Sequence, residues 1–175
     1  MEKNNTIPYN LSMPQTALKD NLTLSGLSEL ELVAIAKDMG KSWEYGEVTF
    51  HPKEHNIPWI DGHASPGPLL PKTFLDLGEG KMLGIINGRE ANQKVGNEIK
   101  YGIFSVGLFI YDYENGKIEW VSPEPLIQDS EAETITFASQ FIETGSVSGI
   151  LYAHVDDSFV RAYTLNAEAI KSLLP

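Results

Sequence analysis

Short apolar runs separated by turn residues dominate the chain, and the spacing between them is too small for strand–helix–strand alternation. Residues 47–51 alternate, with Val48 and Phe50 on one face. Residues 81–86 form a brief apolar run closed by Asn87-Gly88, a dipeptide that favours turns. Residues 103–113 are dense in aromatic and β-branched side chains, and Asn115-Gly116 separates them from Lys117–Val121. That pattern predicts a hairpin, because Asn-Gly supplies the positive φ angles of a type I′ turn. Residues 134–142 and 149–155 predict a second hairpin through Glu143-Thr144-Gly145-Ser146, and residues 159–165 a further strand after Asp156-Asp157-Ser158. Asn166 is placed to cap a short helix through Leu174, with Glu168 in its first turn and Lys171 near its end.

The two ends of this pattern differ from its middle. Residues 1–28 are rich in Asn, Ser, Thr and Pro and predict an irregular lead-in, with one strand near residues 22–24. Residues 28–40 support two readings. Ser28 and Glu31 make a capping box with Gly40 as a helix stop, whereas Leu32-Val33-Ala34-Ile35-Ala36 suits a buried strand. The expectation is one all-β domain over residues 29–175, made of short antiparallel strands with a short C-terminal helix; sandwich, barrel and propeller all fit the pattern.

Length and charge narrow the function classes. The chain has 175 residues, enough for one domain with a real core. Its net charge of −11, with no run of Lys or Arg, argues against nucleic acid and anionic membranes as partners. The absence of cysteine excludes disulfides and thiol chemistry and fits a reducing compartment. The first residues lack a basic region followed by an apolar core, and no apolar run approaches the ~18 residues that span a bilayer. A cytoplasmic protein is therefore expected. His51, Glu54 and His55 imitate a metal cluster, but Pro52 and Pro58 break the helix their spacing would need, so neither metal nor cofactor is expected.

Several motifs have a familiar order. Ala36-Lys37-Asp38-Met39-Gly40-Lys41-Ser42-Trp43 resembles the Asp-box of sialidase-like propellers, Ser-x-Asp-x-Gly-x-Thr-Trp, with Ala36 in place of Ser. Gly62-His63-Ala64-Ser65-Pro66-Gly67-Pro68-Leu69-Leu70, Ile85-Ile86-Asn87-Gly88, Ser122-Pro123-Glu124-Pro125-Leu126-Ile127 and Leu151-Tyr152-Ala153-His154-Val155-Asp156 follow in sequence, the last with Phe159-Val160-Arg161-Ala162 behind it. Together they resemble the later blades of five-bladed β-propeller glycosidases of the family 43 type, above all the mannoside phosphorylases and mannosidases of glycoside hydrolase family 130. The similarity covers roughly residues 30–174. It implies a propeller-like fold, either partial or completed by oligomerisation. It also implies hydrolysis or phosphorolysis of a mannoside or related glycoside, with carbohydrate and inorganic phosphate as partners.

The resemblance points to Asp156, His63, Asn87 and Arg161 as residues that bind substrate or phosphate. Asn87 stands where the family places a substrate-contacting His. The family's catalytic acid comes from an earlier part without a counterpart here, so no general acid is identified. Each residue also has a plain structural role open to it. Asp156 begins an Asp-Asp-Ser turn, His63 can be a surface histidine beside Asp61, and Arg161 can pair with any of the 24 acids. Trp43, Trp59 and Trp120 can stack on sugars, although aromatics in strand-rich proteins more often fill the core. The alternative function is a non-catalytic sugar-binding or assembly module derived from such a propeller.

Overall fold

The computed structural model describes residues 9–10, 31–35 and 44–175, with side chains from residue 48 onward. Among these residues the chain forms three antiparallel meanders. The first joins β1 (Tyr9–Asn10), β2 (Glu31–Ile35) and β3 (Glu44–Phe50) in that order. The second, central sheet contains β4 (His63–Leu69) and β5 (Lys81–Arg89). After β5 the chain makes a separate two-stranded ribbon, β6 (Gln93–Val95) and β7 (Glu98–Lys100). It then returns to the central sheet as β8 (Phe104–Asp112) and β9 (Lys117–Val121), giving the order β4-β5-β8-β9. The third meander is β10 (Thr136–Gly145), β11 (Ser148–Val155) and β12 (Phe159–Asn166). It ends in α1 (Ala167–Lys171), where the Asn166 side chain accepts a hydrogen bond from Ala169 N at 3.0 Å.

The all-β, antiparallel expectation holds, as does the capped C-terminal helix. Among the described residues the sheets close into neither a barrel nor a propeller ring. Of the two readings of residues 28–40, the strand prevails over 31–35, and its pairing draws Tyr9 and Asn10 of the expected lead-in into the first sheet. The Asp-box stretch 36–43 and the strand expected near 22–24 lie outside the described residues.

The central sheet is buried on both faces, and this explains why β5 and β8 read as continuous apolar runs rather than alternating ones. One face carries Leu83, Ile85, Val106, Leu108 and Ile110 against Ala138, Leu151, Ala153 and Leu165 of the third meander and Ile170 of α1. The other carries Ile86, Phe109, Tyr111 and Ile118 against Phe50, Trp59 and Ile60. Trp59 is thus a core residue, its indole N–H donating to Ser122 O at 2.9 Å. Val48 and Phe50 do not share an environment as their spacing predicts. Phe50 is buried and Val48 exposed, and Thr49 between them turns its hydroxyl inward to accept from Ile118 N at 3.0 Å.

Two turn expectations are corrected. Asn87-Gly88 is not a turn but lies inside β5, paired with Val106 and Ser105 on β8 and with Ser65 and Ala64 on β4. Gly88 is required there by close approach, since a Cβ would lie 2.4 Å from Trp59 Cζ3 and 2.6 Å from Ile60 Cγ1. Gly88→Ala is therefore expected to destabilise the fold by about 1–3 kcal/mol through overpacking, read as a lower urea midpoint with an unchanged m-value. The β8–β9 hairpin forms as predicted but through a longer loop. Only Gly116 has a positive φ, 68°, and the Asp112 carboxylate organises the loop by accepting from Glu114 N and Asn115 N, each at 3.0 Å. At the β11–β12 turn, in contrast, Asp156 and Asp157 take φ values of 48° and 52°, as the two central residues of a type I′ turn must.

Candidate functional site

Antiparallel pairing brings the starts of β4, β8, β10 and β12 and the ends of β5 and β11 to one end of the sheets. His63 opens β4 opposite Arg89 at the end of β5, and Arg89 in turn faces Phe104 at the start of β8. A parallel bridge from Phe104 to Ile135 carries the row to the third meander, where Phe137 pairs with His154 and His154 with Val160. Directly opposed residues in a ladder share a face.

The side chains along this row form a continuous line of half-buried rings. His63 meets Phe104 edge-on at 5.7 Å, Phe104 meets Phe137 at 6.1 Å, and Phe137 stacks on His154 at 5.2 Å. The Arg89 guanidinium sits over the Phe104 ring at 5.5 Å. At the far end His154 Nδ1 lies 3.0 Å from Asp157 Oδ1. His154, Asp157, Ser158, Phe159 and Val160 border an open groove of about 350 Å³. Val160 is 69% exposed there, and Phe159 40%.

The four residues singled out by sequence do different things at this end. His63 belongs to the row, as the first residue of β4. Asn87 is fully enclosed. Its Nδ2 donates to Ala138 O at 3.0 Å and its Oδ1 accepts from Ala138 N at 2.7 Å, so its amide closes on the backbone N–H and C=O of a single residue of β10. Neither end of that amide is open to a ligand. The expectation that Asn87 contacts substrate is corrected to a pin between the central sheet and β10.

Asp156 performs a similar task on the other side of Phe137. Its Oδ2 accepts from Glu133 N at 2.8 Å, while Oδ1 accepts from Thr134 N at 2.8 Å, Thr134 Oγ1 at 2.7 Å and Ile135 N at 2.9 Å. Those donors, the Glu133 N–H foremost, hold its carboxyl far below the usual carboxylate range. Thr134 O in turn accepts from Phe104 N at 2.9 Å, so the clamped segment lies between Asp156 and the central sheet. Both carboxylate oxygens are occupied by a segment more than 20 residues upstream, a clamp separate from the Asp-Asp-Ser turn that Asp156 also opens.

Arg161 is neutralised within the chain. Its Nε lies 3.0 Å from Asp129 Oδ2 and its Nη2 3.1 Å from Glu131 Oε2. Asp129 is buried and also accepts from the Tyr163 hydroxyl, and its N–H donates to Thr136 Oγ1 at 3.1 Å. The Tyr163 hydroxyl first, then the Glu131 N–H, lowers the Asp129 carboxyl below its ordinary value. Burial and the same hydrogen bond to Asp129 push the Tyr163 hydroxyl up. Arg161 thus ties β12 to the loop ahead of β10.

Arg89, Phe104, Phe137 and His154 were not singled out as site residues by the sequence reading. Arg89 is one of the chain's two arginines, and His154 occurs inside the Leu151–Asp156 motif. Their assembly depends on ladder register and on the bridge between sheets, and neither leaves a mark in the local sequence. Trp120 packs half-buried against the core. His51 Nδ1 accepts from Lys53 N at 3.3 Å, and His55 stacks on Phe50 at 4.6 Å. Among the described residues no three His, Cys, Asp or Glu side chains are grouped to hold a metal, and no helix is long and apolar enough to cross a membrane.

Comparison with family models, curated proteins and solved structures finds no match to this chain.

Proposed function

We propose that the chain binds carbohydrate across this end of its sheets, as a non-catalytic module of the five-bladed propeller type related to mannoside-acting glycosidases. One observation carries this reading: the line of half-buried rings from His63 through Phe104 and Phe137 to His154, bordered by polar groups. A pyranose has apolar C–H faces and a polar rim, and a ring row with an arginine and a His–Asp pair beside it matches both. The three antiparallel meanders are the kind of unit from which propeller blades are made, and a second copy of the chain would add the blades they lack. The non-catalytic reading is favoured because glycoside cleavage needs a carboxyl kept protonated as general acid. Asp156 and Asp129 are instead held ionised by their hydrogen bonds.

A second reading, hydrolysis or phosphorolysis of a mannoside, has the His154–Asp157 contact in its favour, since a histidine oriented by a carboxylate can move a proton.

Thermal shift against mannose, glucose, arabinose and short mannosides, with and without phosphate, tests the binding reading. A ligand at a hundred times its dissociation constant should stabilise the fold by about 2.7 kcal/mol, and Phe137→Ala should abolish the shift while circular dichroism shows the sheets intact. No shift with any sugar would sink the reading. Release of free sugar from a mannoside, lost in His154→Ala, would replace it with the catalytic one.

A further inference from the structure

The two arginines of this acidic chain are treated in opposite ways. Arg161 is satisfied by two carboxylates. Arg89 has no carboxylate within ion-pair distance among the described residues, although the chain carries 24 acids against 13 bases. Its Nε is enclosed by protein and meets no hydrogen-bond acceptor. The guanidinium is instead held over Phe104, with His63 opposite on β4. A guanidinium that is partly removed from water, fixed in direction by an aromatic face and left without a counter-charge is organised for an anion. A surface arginine with no such role would swing into solvent or pair with a neighbouring acid.

We propose that Arg89 is an oxyanion subsite that takes a carboxylate or phosphate group carried by the ligand on the ring row, with His63 beside it. The inference rests on the carbohydrate reading and narrows it to acidic sugars, uronates or sugar phosphates. The planar fork of Arg89 meets two oxygens of such a group together, while the sugar ring extends along Phe104 and Phe137. The anion enters from the open end of the sheets, where the row is half-exposed.

Isothermal titration with matched pairs provides the test: mannose against mannuronate, and glucose against glucuronate and glucose 6-phosphate, with acetate and inorganic phosphate alone as further arms. The acidic member of a pair should bind at least tenfold more tightly than its neutral partner. Arg89→Gln should bring that ratio close to one, and Arg89→Lys, which keeps the charge but not the fork, should leave an intermediate ratio. The Lys variant carries the comparison if Arg89→Gln does not fold. Equal affinity within each wild-type pair would overturn the subsite while leaving the carbohydrate reading in place. Acetate or phosphate binding as tightly as the acidic sugars, and lost in Arg89→Gln, would uphold the subsite and overturn the sugar. Absence of binding by every acidic probe would overturn the subsite outright.

Discussion

Asn87→Ala is expected to lower stability by about 2–5 kcal/mol, because it leaves the N–H and C=O of Ala138 buried without partners, each worth roughly 1–3 kcal/mol. For a chain of this size that is a fall in melting temperature of roughly 4–20 °C. The argument rests on enclosure: Asn87 is fully buried, and its amide meets the Ala138 backbone at 3.0 and 2.7 Å. Water cannot replace it without opening the seam between β5 and β10. Asn87→Asp sharpens the test. Its carboxylate still accepts from Ala138 N but opposes Ala138 O, and burial raises a carboxyl's pKa in the folded state above the unfolded value of about 3.9. The variant's deficit should therefore be smallest in acid and grow as the pH rises through that raised pKa. Chemical denaturation at several pH values measures both effects. An Asn87→Ala variant within about 0.5 kcal/mol of the parent, the range of ordinary surface changes, would show that this amide is no pin.

The same residue shows what sequence conveys and where it stops. Strands β5 and β8 of the central sheet were readable because burial on both faces produces unbroken apolar runs at 81–86 and 103–113, whereas β4, rich in Gly and Pro, was not. The β10–β11–β12 meander was readable from its turn residues, and α1 from Asn166. Asn87-Gly88 misled because the dipeptide marks turns on average. Here each residue answers a long-range demand instead: Asn87 the Ala138 backbone 51 positions away, Gly88 the Trp59 ring. Local statistics contain neither partner. Of the four expected site residues, Asn87, Asp156 and Arg161 are occupied by hydrogen bonds and ion pairs to distant segments, which their own strands do not announce. Arg161 found two acids that its own strand does not contain. Arg89 found none among the described residues, and a missing partner has no sequence signature at all.

Asp156→Asn is expected to flatten the acid limb of the stability curve, and Asp156→Ala to destabilise the protein at neutral pH as well. The native carboxylate accepts from three successive backbone N–H groups, Glu133 to Ile135, and from the Thr134 hydroxyl. These donors favour the charged form and depress its pKa in the folded state. A depressed folded pKa contributes stability that is fully present above the unfolded value, about 3.9. That contribution is lost as the pH falls through the folded one. Wild type should thus lose melting temperature steeply below about pH 4, and part of that loss should be absent in Asp156→Asn. An amide can still accept, but its NH₂ group would confront the N–H groups that the second oxygen now satisfies, so the variant should start lower at neutral pH. Alanine loses every acceptor and must also hold the positive φ of 48° at this position, which Asp and Asn tolerate better. The consequence reaches the ring row, since the clamped segment carries Ile135, the bridge partner of Phe104. Asp156→Ala should therefore weaken sugar binding without Asp156 touching sugar, and Phe104 and Phe137 resonances should shift in the free protein before any ligand is added. Identical acid limbs in wild type and Asp156→Asn would mean that the carboxylate does not hold these N–H groups in solution. Asp156 would then regain its place among the candidate ligand contacts.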